Sequence, residues 1–185
     1  MKKTTILSIL AVVVISLTSL TASAQKLVSS TTHFKFFSST PAEDIQANNY
    51  KAVGTIETNT GDLVFSVPMQ SFEFEKALMQ EHFNSKKFLD TKTNPKAKLV
   101  GKITDLSKVD FTKDGSYTVD VTGNLTINGV TNAINEKATI SVADGKVSLM
   151  STLNVTLNDY QIAFKKGKPS TNIAKIVEVT VHANY

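Results

Sequence analysis

Along most of the chain, apolar residues recur at every second position. That period belongs to strands with one buried face, and helical spacing does not produce it. Thr32, Phe34 and Phe36 share one face of the first strand. Leu63, Phe65, Val67 and Met69 share a face further on, and Phe72 and Phe74 continue the alternation. Tyr117, Val119, Val121, Leu125 and Ile127 line one side of a long strand, and Val147, Leu149, Leu153, Val155 and Leu157 line one side of another. At the C-terminus Val177, Val179, Val181, Ala183 and Tyr185 alternate with Glu178, Thr180, His182 and Asn184. The chain is therefore predicted to be all-β.

Turn chemistry falls between these stripes. Asn59-Thr60-Gly61-Asp62, Lys113-Asp114-Gly115, Asn128-Gly129 and Asp144-Gly145 offer residues that tolerate positive φ, and Asn-Gly and Asp-Gly are strong hairpin signals. One segment departs from the pattern. Glu75 to Asn84 is built of helix formers, with Leu78 over His82 and Met79 over Phe83 at i,i+4 spacing. It is predicted to be a short helix that, with the loop running to Pro95, caps one end of the sheet. A second irregular stretch runs from Asn158 to Ser170 and includes the Lys165-Lys166-Gly167-Lys168-Pro169 turn. Eight strands of roughly ten residues account for the rest, and antiparallel closure into a barrel removes exposed edges. A barrel of eight strands has room inside for side chains or for one ligand. A two-sheet sandwich satisfies the same alternation.

The first residues read as an address. Lys2 and Lys3 precede an uncharged apolar stretch from Ile6 to Leu20, followed by Ala22-Ser23-Ala24. This is the pattern of an export signal cleaved after Ala24, and the apolar core is short for a membrane anchor. Residues 1–24 are thus expected to leave, and residues 25–185 to form one domain in the periplasm or outside the cell. The precursor carries 20 basic against 16 acidic residues. Losing Lys2 and Lys3 reduces the excess of positive charge to +2, which gives little long-range pull on polyanions. The 185 residues contain no cysteine and no arginine. Disulfides, thiolate metal sites and cysteine nucleophiles are excluded, and the missing guanidinium forks argue against nucleic-acid recognition.

Sites for chemistry are few. His33, His82 and His182 are the three histidines, and none has a partner at metal-ligand spacing; His33 and His182 fall opposite the apolar stripe. No Gly-x-Ser-x-Gly elbow or phosphate-cradling loop occurs. Glu73 and Glu75 are two apart and read as outward, and the apolar stripes show no inward charge. Asn124 and Asn154 match a glycosylation sequon by chance, on strands of a chain with a bacterial export signal. No catalytic, metal or cofactor residue is assigned. By contrast, Phe34, Phe36, Phe65, Phe72, Phe74, Phe83 and Phe88 crowd the N-terminal half, on inward parities or on the cap. Small residues elsewhere (Ala97, Gly101, Gly123, Ala138) leave such a barrel short of filling itself. The expected lining of an apolar tunnel is those phenylalanines with Val67, Leu99, Val121, Leu125 and Ile127. His82, Lys86 and Lys87 are candidates for the mouth, where a lysine would meet a polar head group.

The order of segments carries a resemblance. Met79-Gln80-Glu81-His82-Phe83 is followed by Lys87-Phe88-Leu89-Asp90 and Asn94-Pro95-Lys96-Ala97, and the series closes on Gly123-Asn124-Leu125-Thr126-Ile127-Asn128-Gly129-Val130-Thr131. Together these resemble the YceI-like family of exported bacterial proteins, over essentially the whole of residues 25–185. The resemblance implies a lipocalin-like, eight-stranded antiparallel barrel whose tunnel holds a long-chain isoprenoid, quinone or other amphiphilic lipid. Such members look like periplasmic or secreted carriers, some tied to stress tolerance. Three positions depart from the family pattern. Asn128 stands in place of a histidine, Asn94 in place of an aromatic before the proline, and Ile56 in place of a phenylalanine after Gly54. The last two reduce apolar bulk and bear on the shape of the ligand.

The expected function is that of a lipid-binding transport protein rather than an enzyme, needing no cofactor beyond its ligand. A homodimer and transient membrane contact stay open as further associations, and nucleic acid is not expected as a partner. Each buried CH₂ contributes roughly 0.8 kcal/mol, and a ligand of about 40 heavy atoms at about 0.3 kcal/mol per atom reaches nanomolar affinity. Two rivals remain at this level: a small outer-membrane β-barrel, and an enzyme acting on a prenyl-type small molecule in the same cavity.

Overall fold

The computed structural model describes residues 25–162 and 172–185. The expected signal segment and the Lys165–Pro169 turn lie outside the described residues. Eleven strands and one α-helix follow in chain order: β1 (Lys26–Val28), β2 (Thr31–Ser39), β3 (Asp44–Asn49), β4 (Val53–Glu57), β5 (Asp62–Pro68), β6 (Glu73–Phe74), α1 (Ala77–Asn84), β7 (Lys96–Ile103), β8 (Gly115–Ile127), β9 (Val130–Ala143), β10 (Lys146–Thr156) and β11 (Ile176–Asn184). All belong to one antiparallel sheet, ordered β1-β4-β5-β7-β8-β9-β10-β11-β2-β3-β6.

The count of eight strands expected from sequence is corrected to eleven, and the three additional segments have a single origin. Val28 lies opposite Thr55, and Phe34 lies opposite Asn49. Six residues forward on one strand match six residues back on the other. β1 with β2, and β4 with β3, are thus the halves of one long hairpin whose ladder is interrupted at its middle. The same happens next door. Val53 faces Ser66 and Ala47 faces Phe74, so six residues on one side match eight on the other. The two extra residues are taken up by the 3₁₀ turn Met69–Ser71 between β5 and β6. Three neighbouring strands are each broken once, side by side, and form a crease across the barrel wall.

Side chains take over the hydrogen bonding where the ladder stops. At the crease Ser29 N–H donates to the Gly54 carbonyl at 2.8 Å, Gly54 N–H donates to Ser29 Oγ at 2.8 Å, and Thr32 Oγ1 donates to the Ala52 carbonyl at 2.7 Å. Asn49, fully buried, donates through Nδ2 to the Pro68 carbonyl at 2.8 Å. Pro68 has no N–H to offer a ladder, so a break beside it leaves no donor unpaired. Beyond the crease the wall closes: β2 pairs with β11, and β4 pairs with β5.

Inside, the barrel is divided along its axis. At one end Ile56, Ile103, Val119, Ile140, Val142 and Val147 are buried in a packed core. Phe36, Phe72, Phe74, Phe83 and Phe88 meet at the other end, beneath α1. Outward positions are mostly polar, with Val28, Val53, Val100, Met150 and Ile176 exposed among them, and carry ion pairs such as Lys26–Glu57, Lys102–Asp62 and Asp120 held between Lys108 and Lys137. Among the described residues no helix is long and apolar enough to cross a membrane, a statement that does not bear on strands.

Candidate functional site: an apolar cavity in the barrel

The lower part of the barrel is packed, and the upper part is not. Between the packed core and α1 lies a cavity of about 750 Å³. Its walls come from every long strand, because alternate residues of each must face inward. β2 supplies Phe34 and Phe36, β5 supplies Phe65 and Val67, and β7 supplies Ala97 and Leu99. β8 supplies Val121, Leu125 and Ile127. Phe72 and Phe74 come from the turn and β6, and Phe83 and Phe88 come from α1 and the loop after it. All twelve apolar residues expected to line a tunnel thus face one space. Of the three expected at the mouth, only His82 borders it. Lys86 and Lys87 are exposed and are not part of the lining.

The space survives because the residues around it cannot collapse into it. Gly54 faces Phe65 across the strands, and an added Cβ would come within 2.3 Å of the Phe65 ring, so the ring lies over the glycine and flat against the wall. Gly101 and Gly123 face each other on β7 and β8, where a Cβ on Gly123 would strike the Val100 carbonyl oxygen at 2.5 Å. Close backbone approach replaces side-chain bulk at that point of the wall. At the α1 end Phe83 stacks on Phe36 with ring centroids 5.7 Å apart, and meets Phe74 at 5.0 Å and Phe72 at 5.5 Å. Such tilted and stacked ring pairs contribute beyond their burial and hold a rim of fixed shape.

These walls belong to a known group. A model of the YceI-like domain matches residues 13–185. The chain belongs to the YceI-like family. The fold is shared with Burkholderia cenocepacia BcnA, at 16% identity and TM-score 0.68, covering 83% of this chain and 96% of that one. It is shared too with a polyisoprenoid-binding domain from Saccharophagus degradans implicated in plant cell wall breakdown, at 16% identity and TM-score 0.73, covering 88% and 98%. Campylobacter jejuni YCEI protein matches at 20% identity and TM-score 0.58, over 74% and 80%. A comparison with curated proteins gave no match.

Two of the departures from the YceI-like pattern answer each other. Asn94 Nδ2 donates to Asn128 Oδ1 at 3.0 Å, and Asn128 Nδ2 donates to the Tyr160 carbonyl at 3.1 Å. Asn128 has φ +53 in a tight turn with Gly129 at φ +76, a conformation that asparagine tolerates well. The pair ties the loop after α1 to the β8–β9 hairpin. Ile56 is fully buried in the packed core. Neither Asn94 nor Ile56 lines the cavity, so the reduced bulk at these positions does not reshape it.

Sequence reasoning missed the polar residues of the wall. The stripes suggested no inward charge, whereas Glu136 on β9 and Glu43 before β3 both line the cavity. The signal for Glu136 was present, since it sits at the inward parity between Ile134 and Ala138 and faces Val121 on β8. Glu43 is paired with Lys76 at 3.0 Å. The histidines are placed as their parity implied. His33 and His182 face each other on the outer surface, and His33 Nε2 contacts Asn48 Oδ1 at 2.8 Å while its ring stacks on Tyr50 at 4.7 Å. No group of three or more metal-ligating side chains occurs among the described residues.

Proposed function

We propose that this protein is an exported carrier that encloses one amphiphilic lipid of the isoprenoid class in its barrel, and that it binds rather than converts that lipid. The observation that carries the reading is the cavity: a wall of aromatic and aliphatic side chains around about 750 Å³, within the range of small-molecule sites. Membership of the YceI-like family and the polyisoprenoid-binding relative from Saccharophagus degradans support the ligand class. The N-terminal pattern of residues 1–24 supports export. Outward faces that are mostly polar and carry ion pairs support a carrier in water over a lipid-embedded barrel, which needs a continuous outward apolar band.

The test is lipid extraction and mass analysis of protein purified from its own host. Wild type should carry a stoichiometric prenyl-type lipid and Glu178→Lys should retain it, whereas Phe65→Asp, with a charge on the inner wall, should come without it. Protein free of lipid, or a ligand released in altered form on incubation, would sink the carrier reading.

A further inference from the structure

Among the described residues, the inner wall holds one carboxylate without a partner. Glu136 projects into the cavity one inward step from Ala138, close to the packed core and at the far end of the space from α1. Among the described residues it makes no hydrogen bond or ion pair. Its sequence neighbour Lys137 faces outward and is bound to Asp120 at 2.8 Å. Glu43, the other carboxylate in the wall, is already neutralised by Lys76.

The strands part beside this residue. The β9–β10 ladder runs from Ala143 with Lys146 to Ala138 with Ser151 and goes no further, so residues 130–137 pair with β8 alone. Ser151, which also lines the cavity, sends its hydroxyl proton to the Lys137 carbonyl at 2.7 Å and closes the end of the ladder. What its oxygen still offers the cavity is lone pairs. At this depth, then, the wall presents a half-buried carboxylate and a hydroxyl oxygen, both acceptors, in an otherwise apolar cavity.

Resting on the carrier reading, we infer that Glu136 with Ser151 receives the head group of the lipid, and that this head is a hydrogen-bond donor, a hydroxyl or an amine, and not a phosphate or carboxylate. The tail then runs from Glu136 toward the phenylalanines under α1, opposite to a head placed at the lysine-bearing loop. Among the described residues that line the cavity there is no lysine, so an anionic head would meet the carboxylate without one to compensate it.

Displacement of the fluorescent probe N-phenyl-1-naphthylamine reads this directly. Four ligands sharing a C20 isoprenoid chain are compared on the lipid-free protein: geranylgeraniol, geranylgeranylamine, geranylgeranyl phosphate and the hydrocarbon phytane. Wild type should bind the alcohol and amine at least about tenfold more tightly than the phosphate, the scale of a hydrogen bond to a charged group. Glu136→Gln should bring the alcohol and the phosphate within about threefold, and Glu136→Lys should invert their order. Equal binding of alcohol and phosphate by wild type, or a ratio unmoved in Glu136→Gln, overturns the head-group assignment while phytane binding leaves the carrier standing. If none of the four displaces the probe, the carrier reading fails and this inference falls with it.

Discussion

Single residues decide what the wall can tolerate. Tyr185 ends the last strand with its N–H donated to the Val147 carbonyl, and its phenol oxygen is buried with no hydrogen-bond partner among the described residues. Burial pushes the phenol well above the usual tyrosine value near 10. The sign follows: the neutral form is favoured by the fold, so this contribution is full below about pH 10 and is lost as pH rises toward the raised folded value. Tyr185→Phe removes a desolvated hydroxyl that gains nothing in return. It should leave the protein as stable or about 1 kcal/mol more stable at pH 7, and should lessen its loss of stability between pH 10 and 12. Thermal melts at both ends of that range check it, and a destabilised variant at pH 7 would mean that the hydroxyl has a partner. At the acid end Asp120 is partly exposed, and its hydrogen bond to Lys137, then that lysine's charge, hold its carboxyl below the ordinary range. It therefore favours the fold above its ordinary value and ceases to do so as pH falls through the lowered one.

Among the elements, α1 is the least self-sufficient. Its eight residues are too few to persist alone in water, and its N-cap Lys76 makes no side-chain cap hydrogen bond. What holds it is Phe83, its one buried residue, set among four other rings. Leu78, which the i,i+4 pattern stacked on His82, is 61% exposed and adds little. Phe83→Ala should therefore cost about 3 kcal/mol locally, and hydrogen exchange should show it as faster exchange across residues 77–84 with β8 and β9 unchanged. Unaltered protection of those amides would show that the helix is anchored by something other than the rings. The strands show the opposite balance: each inward stripe read from sequence faces inward in the barrel, because a shift of one residue would turn the whole apolar set toward water.

At the scale of the whole molecule the barrel is part core and part container. Packing of Ile56, Ile103, Val119, Ile140, Val142 and Val147 stabilises one end, and the other forgoes that contribution wherever the cavity is not filled. Under the proposed function a bound lipid restores it. Mass action then gives about 2.7 kcal/mol when free ligand stands at 100 times its dissociation constant. Delipidated protein should melt several degrees below the same protein reloaded with an isoprenoid lipid. A melting temperature indifferent to both treatments would show that the cavity is not where lipid binds. The crease through β1/β2, β3/β4 and β5/β6 belongs to this scale too, since it turns eight long strands into eleven segments without opening the wall.

The all-β class, the inward stripes, the turns at Asn128-Gly129 and Asp144-Gly145, the short helix and the apolar lining were legible in the sequence, because alternation and turn preference are local and act over a few residues. The crease was not, since it depends on which strands lie side by side and on Asn49 reaching the Pro68 carbonyl of a neighbour. Nor was the Asn94–Asn128 bond, formed between two substituted positions 34 residues apart. Glu136 had the parity of an inward residue, but a single carboxylate in a stripe reads as an exception until its neighbours are known. Only the folded wall decides that no lysine among the described residues lines the cavity beside it and that Ser151 donates its hydroxyl to the Lys137 carbonyl, because the partners of a buried polar group are set by the tertiary fold.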